Sequence, residues 1–383
     1  MKRLLGLYKK FAFTIWVVIT VATAMAHPTA FRVWFGTDLK VLIVPLIQII
    51  TFGMGTKLAA RDFRRVLTMP WPVLIAIVLH FTVMPFVGTA IAYSFGFSPE
   101  IAAGIILIGS VSSGVASNVM TYLAGGNVPL AVTITSVTTL LSPVLTPFWM
   151  KTLAGRLVPV SFVPMMLSIF NMIIIPIVAG LFVNRLLYGT KAWTRRAGAL
   201  LAIAAACGAA ACGAAIIPGS TWGAFAALKT GAMLGFLLAG VSALAKLVVG
   251  LWLKGPANWM DRALPLVSMA GICLIIAVIT SQSRNELLSV GPALILAAML
   301  HNTMGYLLGY WGARLARLDE SACRAVAMEV GMQNGGMASG IAIDVLKSTS
   351  AALAPAIFGP WMNVSGSLLA GWWRRRPVPH SRG

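Results

Sequence analysis

The chain has 383 residues, 59% of them hydrophobic and only 10% charged, with a mean hydropathy of +0.89. A soluble domain carries about 25% charged residues, so water is excluded as the solvent for most of this surface. The net charge of +20 does not mark a nucleic-acid binder, because the basic residues punctuate the gaps between apolar stretches and gather on no single domain.

Taken in chain order, apolar windows of about 19 residues predict twelve spans. They lie at roughly 11–27, 39–57, 70–94, 99–123, 127–149, 160–184, 198–217, 222–253, 262–281, 287–312, 323–346 and 350–373. A hydrocarbon core is about 30 Å thick, and helices of these lengths cross it. The alternating segments of a β-barrel are absent. The expected fold is therefore all-α, a polytopic membrane protein. The stretch at 222–253 is too long for one straight crossing and is expected to tilt or to run along the interface. Cys207, Cys212, Cys273 and Cys323 lie in or beside apolar segments without C-x-x-C spacing, which suggests neither a disulfide framework nor a zinc site.

Placing the N-terminus in the cytoplasm puts 22 of the 29 lysines and arginines on the inner side. By the positive-inside rule both termini are cytoplasmic, with 374–383 a basic tail. The basic termini and the twin-half organisation described next fit a multi-pass protein of a bacterial cell inner membrane. A rival reading of "MKRLLGLYKK" and the apolar run after it is a cleaved signal peptide.

Two distant segments repeat each other. "WPVLIAIVLHFTVM" from Trp71 pairs with "GPALILAAMLHNTM" from Gly291, and "GSVSSGVAS" at 109–117 pairs with "GMQNGGMAS" at 331–339. The predicted orientation runs the members of each pair in opposite directions, the mark of an inverted-topology repeat. The expected organisation is a first five-span repeat over 1–155 and a second over 156–373. A two-helix insertion, about 198–253, interrupts the second. The insertion contains "AIAAACGAAACGAA", suited to close helix contact, and is expected at the periphery with no transport chemistry of its own. Lys246 near its end is expected to snorkel to the interface.

A carboxylate at membrane depth costs about 2.5–3.5 kcal/mol on insertion scales, and of the nine acidic residues Glu329 alone falls deep in a span. Gly331, Gly335 and Gly336 follow it, and Gly109 and Gly114 occupy the matching stretch. Glycine tolerates unwound backbone, which at membrane depth survives only where it lines protein or a cavity. The groups gathered here are hard oxygens: Glu329, Gln333, Ser117, Asn118 and Thr135. One carboxylate among neutral oxygens suits a monovalent cation, while half-helix N-termini favour an anion nearby. Sodium with a small organic anion is the natural inference.

"ASNVMTYLAGGNVPLAVTITSVTTLLSPVLTP", "EVGMQNGGMASG" and "NVSGSLLA" resemble the bile acid:sodium symporter family, whose bacterial members include pantothenate and ketopantoate carriers. The similarity covers about 11–186 and 262–373. It implies two inverted five-helix repeats, divided into core and panel domains, with two broken helices crossing at two sodium (Na+) sites. By this resemblance the first sodium takes Ser117, Asn118, Thr135 and Glu329. The second takes Glu329, Gln333 and the carbonyls of Val330 and Met332, with His80 where relatives often carry glutamine. Substrate is implied beside Val115, Asn334 and Asn363. Ala131 stands where relatives often have a serine. An imidazole is a poor sodium ligand and can be protonated, which leaves proton coupling as an alternative.

The expected function is a sodium-coupled symporter that imports an organic anion such as pantothenate or pantoate, a bile-acid-like compound or a 2-oxo acid. It acts by alternating access in the lipid bilayer, without an obligate protein partner. A transporter-like sensor or channel could keep the same site. A membrane-embedded enzyme would need a nucleophile–base pair or a metal cluster, and none of His27, His80, His301 and His380 pairs with a second buried carboxylate in the predicted arrangement.

Overall fold

The structure, a computed structural model, describes residues 15–58, 65–189, 191–256 and 259–376. The cleavable-leader reading of "MKRLLGLYKK", part of the basic stretch from Lys57 to Arg65 and the tail from 377 lie outside the described residues.

Helix α1 is Ile15–Ala26, followed by a small antiparallel hairpin of β1 (Val33–Trp34) and β2 (Thr37–Asp38). Next come α2 (Ile43–Gly55), α3 (Pro70–Ser94), α4 (Pro99–Ser110), α5 (Ala116–Leu123) and α6 (Val128–Trp149). Helix α7 is Phe162–Tyr188. After it run α8 (Ala197–Ile216), α9 (Lys229–Ala245), α10 (Trp259–Gln282), α11 (Arg284–Leu315), α12 (Glu320–Gly331), α13 (Gly335–Asp344) and α14 (Thr349–Arg374). Among the described residues, seven helices are long and apolar enough to cross a membrane: α3, α6, α7, α8, α9 with its flanking turns, α10 and α11. The chain is an all-α polytopic membrane protein, as its composition predicts.

Local chemistry sets the helix starts. Pro70 and Pro99 open α3 and α4, where the missing N–H costs nothing. Side chains of Asn127, Asp319 and Ser348 accept from the third residue on, at 3.0, 2.8 and 3.1 Å, satisfying first-turn amides of α6, α12 and α14.

The chain forms two compact units, with the boundary inside α10 between Ile275 and Ile276. One unit holds α1, α3–α6, the end of α10 and α11–α14. Its apolar core joins Val73, Ala76 and Met84 of α3 to Leu130, Ala131 and Ile134 of α6 and to Val326 and Val330 of α12. Helices α4 and α14 meet backbone to backbone at Gly104, where any side chain would run into the Ala351 carbonyl.

The other unit holds α2, α7 from Val163 onward, α8, α9 and most of α10. A side chain at Gly55 or Gly180 would strike the facing backbone of α7 or α2, so this pair packs at glycine distance. A π-helical turn at Phe170–Ile174 interrupts α7 and places Asn171 at a polar node. Gln48 Nε2 of α2 donates to the Asn171 carbonyl at 3.1 Å and the Thr51 hydroxyl to the Met172 carbonyl at 2.9 Å. Asn171 Nδ2 donates to the Thr230 hydroxyl at 2.9 Å, and Asn171 Oδ1 accepts from Gly231 N at 2.6 Å.

Helix α9, in the stretch expected to be an insertion, is thereby tied to α7 by polar contacts. That stretch is not one uniform helix. A 3-10 segment over Gly223–Leu228 leads into α9, and a π-helical turn over Lys246–Trp252 ends it. Lys246 does not simply snorkel: its half-buried ammonium donates to the Leu186 and Leu187 carbonyls at 2.6 and 3.1 Å. It caps carbonyls at the end of α7 that have no partner within the helix.

Candidate functional site

Both sequence stretches that resemble each other break the helix they belong to. Helix α4 ends at Ser110 and α5 begins at Ala116; α12 ends at Gly331 and α13 begins at Gly335. Val111 (φ −84°, ψ 172°) and Met332 (φ −109°, ψ 102°) leave the helices in extended conformation. The two extended pieces run past each other as an isolated antiparallel bridge, Ser113 opposite Gln333. Gly114 N donates to the Met332 carbonyl and Asn334 N to the Ser112 carbonyl, both at 2.9 Å. A Cβ on Gly114 would lie 2.8 Å from the Gln333 carbonyl oxygen, so only glycine permits this approach.

The crossing solves the problem that unwinding creates. Exposed carbonyls at membrane depth must be satisfied by protein, and here each finds a group. His80 of α3, fully buried, places Nδ1 3.1 Å from the Glu329 carbonyl and Nε2 2.9 Å from the Val111 carbonyl. Gln333 Nε2 donates to the Val330 carbonyl at 2.8 Å. Asn302 Nδ2 of α11 donates to the Gly331 carbonyl at 2.6 Å. Asn302 also accepts from Ser365, whose hydroxyl lies 3.3 Å from the Tyr306 hydroxyl.

Beside the crossing, Glu329 is fully buried. One carboxylate oxygen accepts from the hydroxyls of Ser113 at 2.6 Å and Thr135 at 2.7 Å; the other accepts from Ser117. Asn118 Nδ2 donates to the Thr135 hydroxyl at 3.1 Å. Two acceptors in this neighbourhood, Asn118 Oδ1 and Gln333 Oε1, are buried with no hydrogen-bond partner. A buried polar atom without a partner is costly. Asn118 Oδ1, whose amide bonds the Thr135 hydroxyl beside the carboxylate, adds an unmet demand for positive charge there. Among the described residues no group of three or more His, Cys, Asp or Glu could hold a metal ion. The groups around Glu329 are oxygens, the donors a hard ion takes.

The structure brings Ser117, Asn118, Thr135 and Glu329 into one hydrogen-bonded cluster. Ala131, one turn before Thr135, contributes only its carbonyl, which accepts from the Thr135 hydroxyl at 3.1 Å. Val330 and Met332 offer backbone oxygens that already accept from Gln333 and Gly114. Asn334 Oδ1 caps α13, accepting from Met337 N at 3.0 Å. Asn363 turns its amide back to the Gly359 carbonyl of its own helix at 2.9 Å. Val115 sits half-buried at the start of α5. Ser113 and Asn302 were not picked out from the sequence. Ser113 lies inside the serine- and glycine-rich break that the sequence shows, and only the fold sets it opposite Gln333. Asn302 follows His301, the repeat partner of His80, and carried no other signal.

The chain is similar in sequence to known transport proteins. The model of the Sodium Bile acid symporter family matches residues 44–222. A Bacillus subtilis (strain 168) protein described as an uncharacterized sodium-dependent transporter, YocS, is 33% identical over 364 residues, covering 95% of this chain and 91% of its own length. The probable sodium/metabolite cotransporter BASS1, chloroplastic, of Arabidopsis thaliana is 23% identical, covering 95% of this chain and 73% of its own. The ileal sodium/bile acid cotransporter of Oryctolagus cuniculus is 24% identical, over 84% of this chain and 74% of its own.

Proposed function

The chain belongs to the sodium bile acid symporter family, and from that premise we propose that it is a sodium-coupled secondary transporter importing a small organic anion by alternating access. The observation that carries this reading is the buried Glu329 carboxylate. It is ringed by three hydroxyls, with unpartnered amide oxygens nearby, at the meeting of two broken helices.

In this reading sodium is held by Glu329, Ser117, Asn118 and Thr135, with Ser113 as a further hydroxyl. Each hydroxyl that now donates to the carboxylate can turn its proton away and present a lone pair, since a hydroxyl is donor and acceptor at once. Sodium also offsets the cost of a carboxylate at membrane depth. The loaded state is thereby stabilised relative to the empty one, and that differential is what couples ion to substrate.

The substrate lies beside the crossing, near Val115, Asn334 and Asn363. There the N-terminal ends of α5 and α13 supply partial positive charge to an anion. Pantothenate or pantoate, a bile-acid-like compound and a 2-oxo acid are the candidate classes. No covalent step is required. The protein resides in a cell inner membrane with both termini cytoplasmic, the orientation that the basic residues favour.

The test is a thermal-shift screen of the purified protein in detergent. Sodium and potassium are compared at equal ionic strength, each with pantothenate, pantoate, a bile acid and a 2-oxo acid. Stabilisation by sodium alone, increased by one of the anions, supports the reading. Equal response to potassium, or no response to either ion, counts against it.

A further inference from the structure

We infer that this carrier binds one sodium ion per chain, because the imidazole of His80 occupies the place between the two helix breaks from which a second ion would need oxygen. The inference rests on the sodium-coupled reading above and concerns the ion count alone.

A second cation alongside α12 would have to draw on what the two breaks expose. On the α12 side the Glu329 carboxylate is turned into the cluster with Ser113, Ser117 and Thr135, and the remaining oxygens are the carbonyls of Glu329, Val330, Gly331 and Met332. The Glu329 carbonyl faces a ring nitrogen of His80 at 3.1 Å. The other three accept from Gln333 Nε2 at 2.8 Å, Asn302 Nδ2 at 2.6 Å and Gly114 N at 2.9 Å. On the α4 side the Val111 carbonyl faces the other ring nitrogen of His80 at 2.9 Å, and the Ser112 carbonyl accepts from Asn334 N at 2.9 Å. Four of these six carbonyls thus already accept from amide donors of the protein, and the His80 ring, a single donor when neutral, can satisfy one of the remaining two.

A hydrogen-bonded carbonyl retains a lone pair, so occupancy alone does not exclude an ion. The composition at position 80 does. A hard cation needs several converging oxygens, and His80 presents two nitrogens and no oxygen. Whichever tautomer it holds, one N–H points its hydrogen at one of the carbonyls an ion would need. The ring is fully buried, packed edge-on against Phe81 at 4.9 Å, so it is held in place rather than mobile. Of the groups named for this side, Gln333 Oε1 alone lacks a partner, and one amide oxygen does not make a site. The Glu329 cluster, by contrast, offers a carboxylate, three hydroxyls and Asn118 Oδ1. His80 therefore acts as a positioning residue. Its ring lies between carbonyls of both breaks, donating to one of them, in the place a second ion would take.

The experiment measures equilibrium binding of radioactive sodium to the purified full-length protein in detergent, with choline holding ionic strength constant and no organic substrate added. The wild type is expected to bind one ion per chain with a Hill slope of one. His80→Gln places an amide oxygen at this position and is expected to bind a second ion, with a slope above one. Two ions per wild-type chain would overturn the inference while leaving sodium coupling intact. One ion in both proteins overturns the role given to His80. No binding in the wild type overturns the sodium reading itself. The wild-type count decides without the variant, and His80→Asn provides a second amide should His80→Gln not fold.

Discussion

The hydroxyl of Ser113 in the first helix break donates to the carboxylate of Glu329 at the end of α12, at 2.6 Å. The residues are 216 positions apart in sequence, yet this bond joins the unwound stretch after α4 to the buried acid near the end of α12. It has a direct consequence for ion affinity.

Ser113→Ala should weaken sodium binding without removing it. The substitution removes one hydroxyl oxygen from the ion, an interaction with a charge of about 1.5–3 kcal/mol, and about 1.4 kcal/mol is a tenfold change in affinity. Half-saturation by sodium is expected to rise about tenfold or somewhat more, read from a thermal-shift titration. An unchanged midpoint would show that Ser113 only braces the backbone.

Glu329→Gln should abolish stabilisation by sodium altogether. Removing the charge also removes the cost of burying it, so melting in sodium-free buffer should occur at the wild-type temperature or above. A variant that keeps the wild-type sodium response would refute the placement of the ion.

Arg324 tests the fold rather than the ion. Its buried guanidinium donates to Glu320 at 2.8 Å, to the Ala124 carbonyl at the end of α5 at 2.8 Å and to the Arg376 carbonyl beyond α14 at 2.8 Å. It also lies over the Trp373 ring at 5.7 Å. One side chain thus gathers the ends of α5, α12 and α14. Arg324→Ala should destabilise by about 2 kcal/mol or more, seen as a lowered melting temperature at every sodium concentration.

Asn171→Ala should loosen the inserted helices and spare the ion. It removes the acceptor of Gly231 N and the donor to Thr230, leaving buried groups unpaired at a cost of about 1–3 kcal/mol. The melting temperature is expected to fall while the sodium titration midpoint stays that of the wild type.

Much of this arrangement was legible in the sequence, for identifiable reasons. The breaks announce themselves as glycine and serine clusters inside apolar runs, and Glu329 stands out because an acid at that depth has no bland explanation. Ser117, Asn118 and Thr135 stand out as oxygen donors in and after the matching break, and the resemblance to a family is what groups them with Glu329 around one ion. Legibility ends where partners meet across the fold. That Asn302 satisfies the Gly331 carbonyl depends on how α11 packs against α12, which no local pattern encodes. Likewise the π-turn that exposes Asn171 to α9 comes from one extra residue in a helical turn, invisible to apolar periodicity. The position of Lys246 near the end of its span suggests an interfacial lysine; the carbonyls it caps lie some sixty residues earlier in the chain and become neighbours only after folding.

The antiparallel bridge at Ser113 and Gln333 has one more consequence. A pair of backbone hydrogen bonds is a short, inextensible ligament, and it fastens the inner tips of four half-helices to one another. Such a knot cannot let its cargo go by splaying apart, because parting the strands would strand bare amides in hydrocarbon. Release has to come from carrying the whole knot toward water on one side or the other.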